Sequence, residues 1–406
     1  MLIEGSGRMG RGVAYSTTEP AHLLNVRAEG MSAWAGEPDQ FARLYAREGG
    51  EPRGFAQRRF FARYLGELLD QAVASGYVEL VEATVTSGTR DGAAWTIELD
   101  DGSSVEAKSL VLAVGNQEPD ALGAFREPGA RFIANPWGRD AQDAVAELAA
   151  SGGAALLVGT GLTMVDLVLS LDAAGHQGRI VALSRRGLAP RAHADFEPAP
   201  VEAGELPQGL RQLFHWLRRR SAEVGWRAAI DSLRPHSHEI WQDLEHEEHR
   251  RFLRHVRPWW DVHRHRIAPE VGETIARLVG EGRLEIVAGR IVGGRDAADG
   301  IEVEYRRRGA PASQTETFAY AINCTGPLHS ISRTKNPLLR SLLDAGEVKP
   351  DHLGIGVEVD GTCRAGEHLW AMGPLTKGRY WEIIAVPDIR EQAAEVADQI
   401  AKELKA

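Results

Sequence analysis

The stretch Val158-Gly159-Thr160-Gly161-Leu162-Thr163-Met164-Val165-Asp166 constrains this chain most. It joins a wholly apolar run, Ala154 to Val158, to a segment with helical periodicity through about residue 173. A short run without polar residues reads as a strand covered on both faces, hence as part of a parallel sheet. Gly159 permits the tight turn from strand to helix, and Gly161 lets a pyrophosphate reach the backbone. The helix start offers unpaired N–H groups and a partial positive charge. Gly-x-Gly between a strand and a helix points to dinucleotide binding through Gly159, Thr160 and Gly161. Met164 stands where the fingerprint's third glycine would be, which asks for looser helix–strand packing. The alternative is a glycine-rich turn with no ligand.

The following strand, Ile180 to Leu183, ends in Ser184-Arg185-Arg186. An NAD site usually places an acid at this distance to bond the ribose 2′-hydroxyl. Two guanidiniums suit a 2′-phosphate instead, since they form charge-assisted, bidentate bonds. Arg185 and Arg186 therefore select NADPH, unless they are only a solvated basic turn.

A second pattern repeats along the chain. Residues 77–107 and 284–306 read as short strands, and each group feeds a buried strand that ends in glycine: Leu110 to Gly115, and Phe318 to Gly326. Two α/β dinucleotide-binding (Rossmann-like, three-layer ββα) folds follow, with a helical insertion at about 206–270 in the second. In the second fold the fingerprint precedes the end of the next strand by 25 residues (159 to 184). Leu2-Ile3-Glu4 then reads as the second strand of the first fold, with Glu4 as its ribose-binding acid. That spacing puts the first fold's own fingerprint ahead of Met1, so the first fold lacks its first strand and helix. A start assigned too late is preferred to a shortened chain.

Composition excludes several classes. Lys and Arg number 47 against 57 Asp and Glu, a formal charge of −10, which disfavours nucleic acid as a partner. Cys324 and Cys363 are the only cysteines and do not form Cys-x-x-Cys, so neither a dithiol reductase nor a cysteine-rich zinc site is indicated. No apolar stretch approaches the length of a membrane span, and Glu4 interrupts any leader, so a soluble, cytoplasmic protein is expected. Half of the 14 histidines fall between 236 and 265. His246 and His249 share a helix face, but a solvated polar face is preferred to a metal pair. Pro258-Trp259-Trp260-Asp261-Val262-His263-Arg264-His265-Arg266 is dense in aromatic and cationic groups. It reads either as a substrate pocket wall, with Arg264 as the candidate, or as a structural corner.

The chain resembles the bacterial FAD-NAD(P)-binding protein family, related to the N-hydroxylating flavin monooxygenases. The matching segments are Gly10-Arg11-Gly12-Val13-Ala14-Tyr15, Leu23-Leu24-Asn25-Val26, Met31-Ser32, Leu112 to Gly115, Gly159 to Asp166, Asn323-Cys324-Thr325-Gly326, and Gly373-Pro374-Leu375 through Trp381 to Ile389-Arg390. The resemblance implies an FAD-binding unit of residues 1–140 plus 345–406 and an NAD(P)-binding unit of residues 141–344. It assigns cofactor contacts to Glu4, Gly10, Arg11, Gly12, Tyr15, Asn25, Gly115, Gly326 and Gly373. In related flavoproteins the segment after Gly373 closes over the flavin, so Lys377, Arg379 and Trp381 become pocket candidates. Many relatives carry Asp after that glycine; here Pro374 stands there. The implied activity is an NADPH-using, FAD-dependent monooxygenase that consumes O2 and hydroxylates a small amine or planar heterocycle. A flavin-linked NADPH reductase and a non-catalytic nucleotide-binding remnant are the alternatives. FAD binding by a form without its first fingerprint is expected to be weak or absent.

Overall fold

The computed structural model describes residues 1–125 and 129–405. Its largest sheet has seven strands, in the order Gln314–Phe318, Gly300–Arg307, Leu284–Ala297, Ile180–Ser184, Ala155–Val158, Tyr320–Asn323, Phe132–Ile133. The last five run parallel, and the first two fold back as an antiparallel meander. The expected central strand, Ala155–Val158, is buried at every position. Its side chains alternate between two cores, as the pleat requires. Ala155 and Leu157 face the layer of helices Arg139–Ser151, Leu162–Ala173 and Pro269–Gly280, while Leu156 and Val158 face the meander side with Tyr305 and Phe318. Three layers result: meander, parallel sheet, helices.

The N-terminal unit repeats this plan with a divided sheet. Leu2–Ile3 lies parallel to Leu80–Val81, as Ile180–Ser184 lies parallel to Leu284–Ala297. Leu110–Leu112 lies parallel to Leu369–Ala371, and Val85–Asp91, Ala94–Leu99 and Ser104–Ala107 form the meander. Among the described residues no ladder joins Leu2–Ile3 to Leu110–Leu112. Ile3, Leu110 and Leu112 nevertheless share one apolar core with Trp95 and with Leu338, Leu339 and Leu342 of helix Pro337–Ala345.

One expectation for this unit fails. The run from Leu110 to Val114 reads as a strand covered on both faces, but Val111 is 37% exposed. Leu110 and Leu112 face the apolar core, while Val111 points to the opposite face of this edge strand.

Two elements cross the boundaries that the sequence suggests. Phe132–Ile133 precedes residue 141 yet completes the edge of the seven-stranded sheet. Helix Pro337–Ala345 packs on the N-terminal meander. The C-terminal helix runs Val386–Glu403, with Pro387 tolerated in its first turn. The insertion is helical as expected, from Leu210–Val224 to Arg257–Arg264. Its Trp241, Phe252 and Trp260 pack with Trp381 of the C-terminal segment. No described helix is long and apolar enough to cross a membrane.

Candidate dinucleotide site and an adjoining charged cavity

Ala155–Val158 and Tyr320–Asn323 are parallel neighbours, and the order of strands reverses between them. Ligands of open α/β sheets bind at such a switch point. Gly159 has φ +123°, and a Cβ there would lie 2.2 Å from the Cys324 carbonyl oxygen. The neighbouring strand's exit demands this glycine as much as the turn itself does. Gly161 differs: a Cβ there would meet nothing within 4 Å, so the space over it is open. Gly161 precedes helix Leu162–Ala173, whose start has no side-chain cap and no acid in its first turn. The Leu162, Thr163 and Met164 amides are thus free to bind an anion. Thr160 is committed inward, its Oγ1 lying 2.8 Å from Ser184 Oγ and meeting the Leu188 carbonyl as well. Met164 is fully buried between the helix and the sheet and fills the space its position opens. Gly326, beyond Tyr320–Asn323, has φ +85° and open space beside it.

The two arginines part ways. Arg185 is exposed at the end of Ile180–Ser184. Arg186 turns to the insertion and donates to the carbonyls of Arg254 (3.3 Å) and His255 (3.4 Å). It holds a π-turn, Phe252–Val256, against the nucleotide fold.

On the N-terminal unit, Glu4 closes its strand with a carboxylate that accepts from the backbone N–H groups of Ser6 (3.0 Å) and Arg8 (2.9 Å). Burial alone would raise its pKa, but these bonds hold it below the usual range. Gly10 and Gly12 have φ +70° and +56°, and the Arg11 guanidinium reaches over helix Arg58–Ala74 at Gly66. Tyr15 packs edge-on against Phe61 at 4.7 Å, and burial pushes its hydroxyl up to about 12. The Asn25 carbonyl accepts from His193 Nε2 at 3.1 Å, tying the two units together. Gly115 has φ +65° and open space, whereas the Gly373 amide donates to Gln392 Oε1 at 2.6 Å. These residues fit a pyridine dinucleotide at Gly161. On the N-terminal unit the turn at Gly115 is open, and Glu4 ends its strand with a carboxylate bonded to its own loop's amides. A glycine-rich loop through Gly5, Gly7 and Gly10 leads from Leu2–Ile3 into the short helix Gly12–Tyr15, and among the described residues no strand pairs with both Leu2–Ile3 and Leu110–Leu112.

A second constellation centres on Glu382, which the sequence reading missed. Its only signal is an acid among Trp381, Ile383 and Ile384. The residue is 6% exposed and has φ +75°, a conformation that non-glycine residues keep only when their surroundings impose it. Oε1 accepts from Trp260 Nε1 at 2.6 Å, Oε2 lies 3.0 Å from Arg264 Nε, and His265 Nε2 lies 3.7 Å from Oε1. Burial opposes ionisation, but the charges of His265 and Arg264 hold the carboxyl below its usual range. The dense stretch from Pro258 to Arg266 thus delivers three side chains to one buried carboxylate. Beside it lies a cavity of about 280 Å³ lined by Arg234, Ser237, His238, Arg264, Glu382 and Asp388. Of the pocket candidates, Arg264 lines this cavity. Lys377 adjoins the cluster, its pKa lowered to about 8 by burial and by Arg257. Arg379 reaches toward Gly361 and Tyr380 instead. Trp381 stacks on Trp241 at 4.8 Å, in the aromatic core.

A parallel sheet with a Gly-x-Gly turn at its switch point, with an N-terminal unit of similar plan, defines an architecture of two dinucleotide-binding folds. A family model described as FAD-NAD(P)-binding matches residues 1–117, which bears out the resemblance over that segment. No curated protein matches the chain. Among solved structures, the fold is similar to that of L-lysine 6-monooxygenase from Pseudomonas syringae, at 18% identity and a TM-score of 0.68, covering 98% of this chain and 90% of that one. Ornithine hydroxylase from Pseudomonas aeruginosa aligns at 14% identity and 0.64, over 99% and 91%. The FAD-bound cadaverine monooxygenase of desferrioxamine biosynthesis from Erwinia amylovora aligns at 12% and 0.58, over 98% and 93%.

Proposed function

We propose that this protein is an NADPH-using, FAD-dependent monooxygenase that hydroxylates a small amine. The observation that carries the reading is the open cradle over Gly161, with free amides at a topological switch point. The FAD-NAD(P)-binding match over residues 1–117 and the amine-hydroxylating relatives of the same fold support it. In this reading residues 141–344 carry NADPH, and residues 1–140 with 345–406 carry FAD. Bound flavin supplies the redox chemistry, passing reducing equivalents from NADPH to O2. The chain's own residues bind and orient. The Leu162 to Met164 amides hold a pyrophosphate, Arg185 takes the 2′-phosphate, and Glu4 bonds a ribose hydroxyl. The cavity beside Glu382 receives the substrate, in a soluble, cytoplasmic enzyme.

The test is NADPH consumption in the presence of added FAD and candidate amines under ¹⁸O₂. Amine-stimulated consumption with label in the hydroxylated product is expected. Turnover that needs an electron acceptor but not oxygen would make the protein a reductase. Absence of calorimetric heat with either pyridine nucleotide would remove the redox reading altogether.

A further inference from the structure

The cavity beside Glu382 has a charge pattern of its own. Two guanidiniums, Arg234 and Arg264, and two carboxylates, Glu382 and Asp388, face one space of about 280 Å³. Several of these groups are incompletely paired. The Glu382 side chain is 4% exposed, and its Oε2 is ion-paired with Arg264 Nε at 3.0 Å but accepts no well-aligned hydrogen bond. Asp388 Oδ2 is likewise buried without a donor. Arg234, at the mouth, has no carboxylate within 4 Å among the described residues. Buried charged atoms left short of partners are costly, and a ligand that supplies the partners relieves that cost. A lone cation would be repelled by the arginines, and a lone anion by the acids. A molecule carrying both charges satisfies both pairs.

An apolar groove adjoins this cavity. It is lined by Leu213, Phe214, Leu217, Trp241, Trp260 and Trp381. Ser237 lines both spaces, and Trp260 reaches from the groove to donate to Glu382. The groove's roof is helix Leu210–Val224, which has no buried residue. The roof is flanked by Gly209 and Gly225 at φ +82° and +81°, ψ +146° and +149°, a region that only glycine adopts readily. The groove's free volume is about 60 Å³, enough for a small alkyl group, and an aromatic ring requires the roof helix, which has no buried residue, to move outward.

We propose that cavity and groove form one binding site for a zwitterion with an apolar or aromatic side chain, such as an aliphatic or aromatic α-amino acid. The ammonium sits against Glu382 and Asp388, the carboxylate against Arg234 and Arg264, and the side chain in the groove. The proposal rests on the reading of the cavity as the substrate site and narrows it. A side chain with a second ammonium finds no carboxylate in the groove, and the aromatic faces there offset only part of its lost hydration, so the groove selects against it.

The test is titration of intrinsic tryptophan fluorescence, excited at long wavelength, since three tryptophans line the groove. It needs neither nucleotide nor turnover. The probes are L-phenylalanine, L-leucine, L-lysine, phenethylamine (no carboxylate) and 3-phenylpropionate (no amine). L-Phenylalanine and L-leucine are expected to shift the emission saturably, with the other three weaker by roughly tenfold or more. Glu382→Gln should abolish the preference for L-phenylalanine over 3-phenylpropionate. Arg234→Ala, at the exposed mouth and safe for folding, should weaken L-phenylalanine by roughly tenfold while leaving phenethylamine unchanged. L-Lysine binding as tightly as L-phenylalanine, no saturable response to any probe, or Arg234→Ala without effect would each overturn the proposal. Binding as described without NADPH turnover would defeat the monooxygenase reading alone. Turnover on an amine without the stated preference would defeat this proposal alone.

Discussion

Arg58 and Asp166 form a two-pronged ion pair across the two halves of the molecule, Nη1 to Oδ2 at 2.8 Å and Nη2 to Oδ1 at 2.9 Å. Both side chains are largely buried, 13% and 6% exposed. His22 Nε2 meets the Asp166 carbonyl at 2.9 Å beside them. Asp166 lies one turn into helix Leu162–Ala173, whose start is the proposed phosphate site. The N-terminal unit therefore clamps the helix whose start is the proposed nucleotide site.

Breaking this pair from one side leaves a buried charge alone. Arg58→Ala is expected to cost about 3–5 kcal/mol of stability in urea unfolding, because Asp166 remains desolvated and unpaired. The double variant Arg58→Met, Asp166→Leu should recover much of that loss, since an apolar pair of similar volume carries no desolvation penalty. Equal stability of the single and double variants would show that the pair does not act as one unit.

The two glycines of the turn should separate in their effects. Gly159→Ala places a Cβ 2.2 Å from the Cys324 carbonyl and should disrupt folding, seen as a lowered melting temperature or loss of soluble protein. Gly161→Ala meets open space at φ −85° and should fold normally. It narrows the approach of a pyrophosphate, so NADPH binding by calorimetry should weaken roughly tenfold or more.

Arg185 and Arg186 should also divide. Arg185→Ala is expected to cost NADPH about 1.5–3 kcal/mol, roughly tenfold to a hundredfold, with NADH little affected. Arg186→Ala should mainly loosen the insertion, because its guanidinium is committed to the Arg254 and His255 carbonyls. Parallel titrations with both nucleotides, alongside thermal melts, distinguish the two outcomes.

His193 should give the fold a pH dependence. Burial, together with the charge of Arg266, lowers its pKa to about 4 in the folded protein. The unfolded chain takes up a proton near pH 6.5, the ordinary value for histidine, and the folded one does not. This contribution to stability is therefore complete above pH 6.5 and is lost as pH falls toward 4. Urea midpoints measured across that window should decline in the native protein. His193→Gln, which keeps a donor for the Asn25 carbonyl, should remove part of the slope.

Much of the nucleotide fold was legible from residue order. The apolar run before Gly159, the helix after it and the strand to Ser184 are local patterns, and each appears where expected. Leu2-Ile3 forms a strand as its apolar residues suggest, and it pairs parallel with Leu80–Val81 as Ile180–Ser184 pairs with Leu284–Ala297. The buried strand at Leu110 was over-read, since periodicity reports apolarity and not which faces find a cover. The pocket was read least well. By position Arg379 and Trp381 read as pocket residues; Arg379 faces Gly361, whereas Trp381 stacks on Trp241 in the wall of the apolar groove beside the cavity.

Residue order alone was enough for the strand–turn–helix cradle, because hydrophobic periodicity and the conformational freedom of glycine act over a few neighbouring residues. Three-dimensional packing decided that Glu382, more than a hundred positions from Trp260, Arg264 and His265, would be the carboxylate they surround. It also decided that Asp166 would be a clamp for Arg58. Charge pairing between distant segments depends on which surfaces meet once the apolar faces are buried, and no local pattern carries that information.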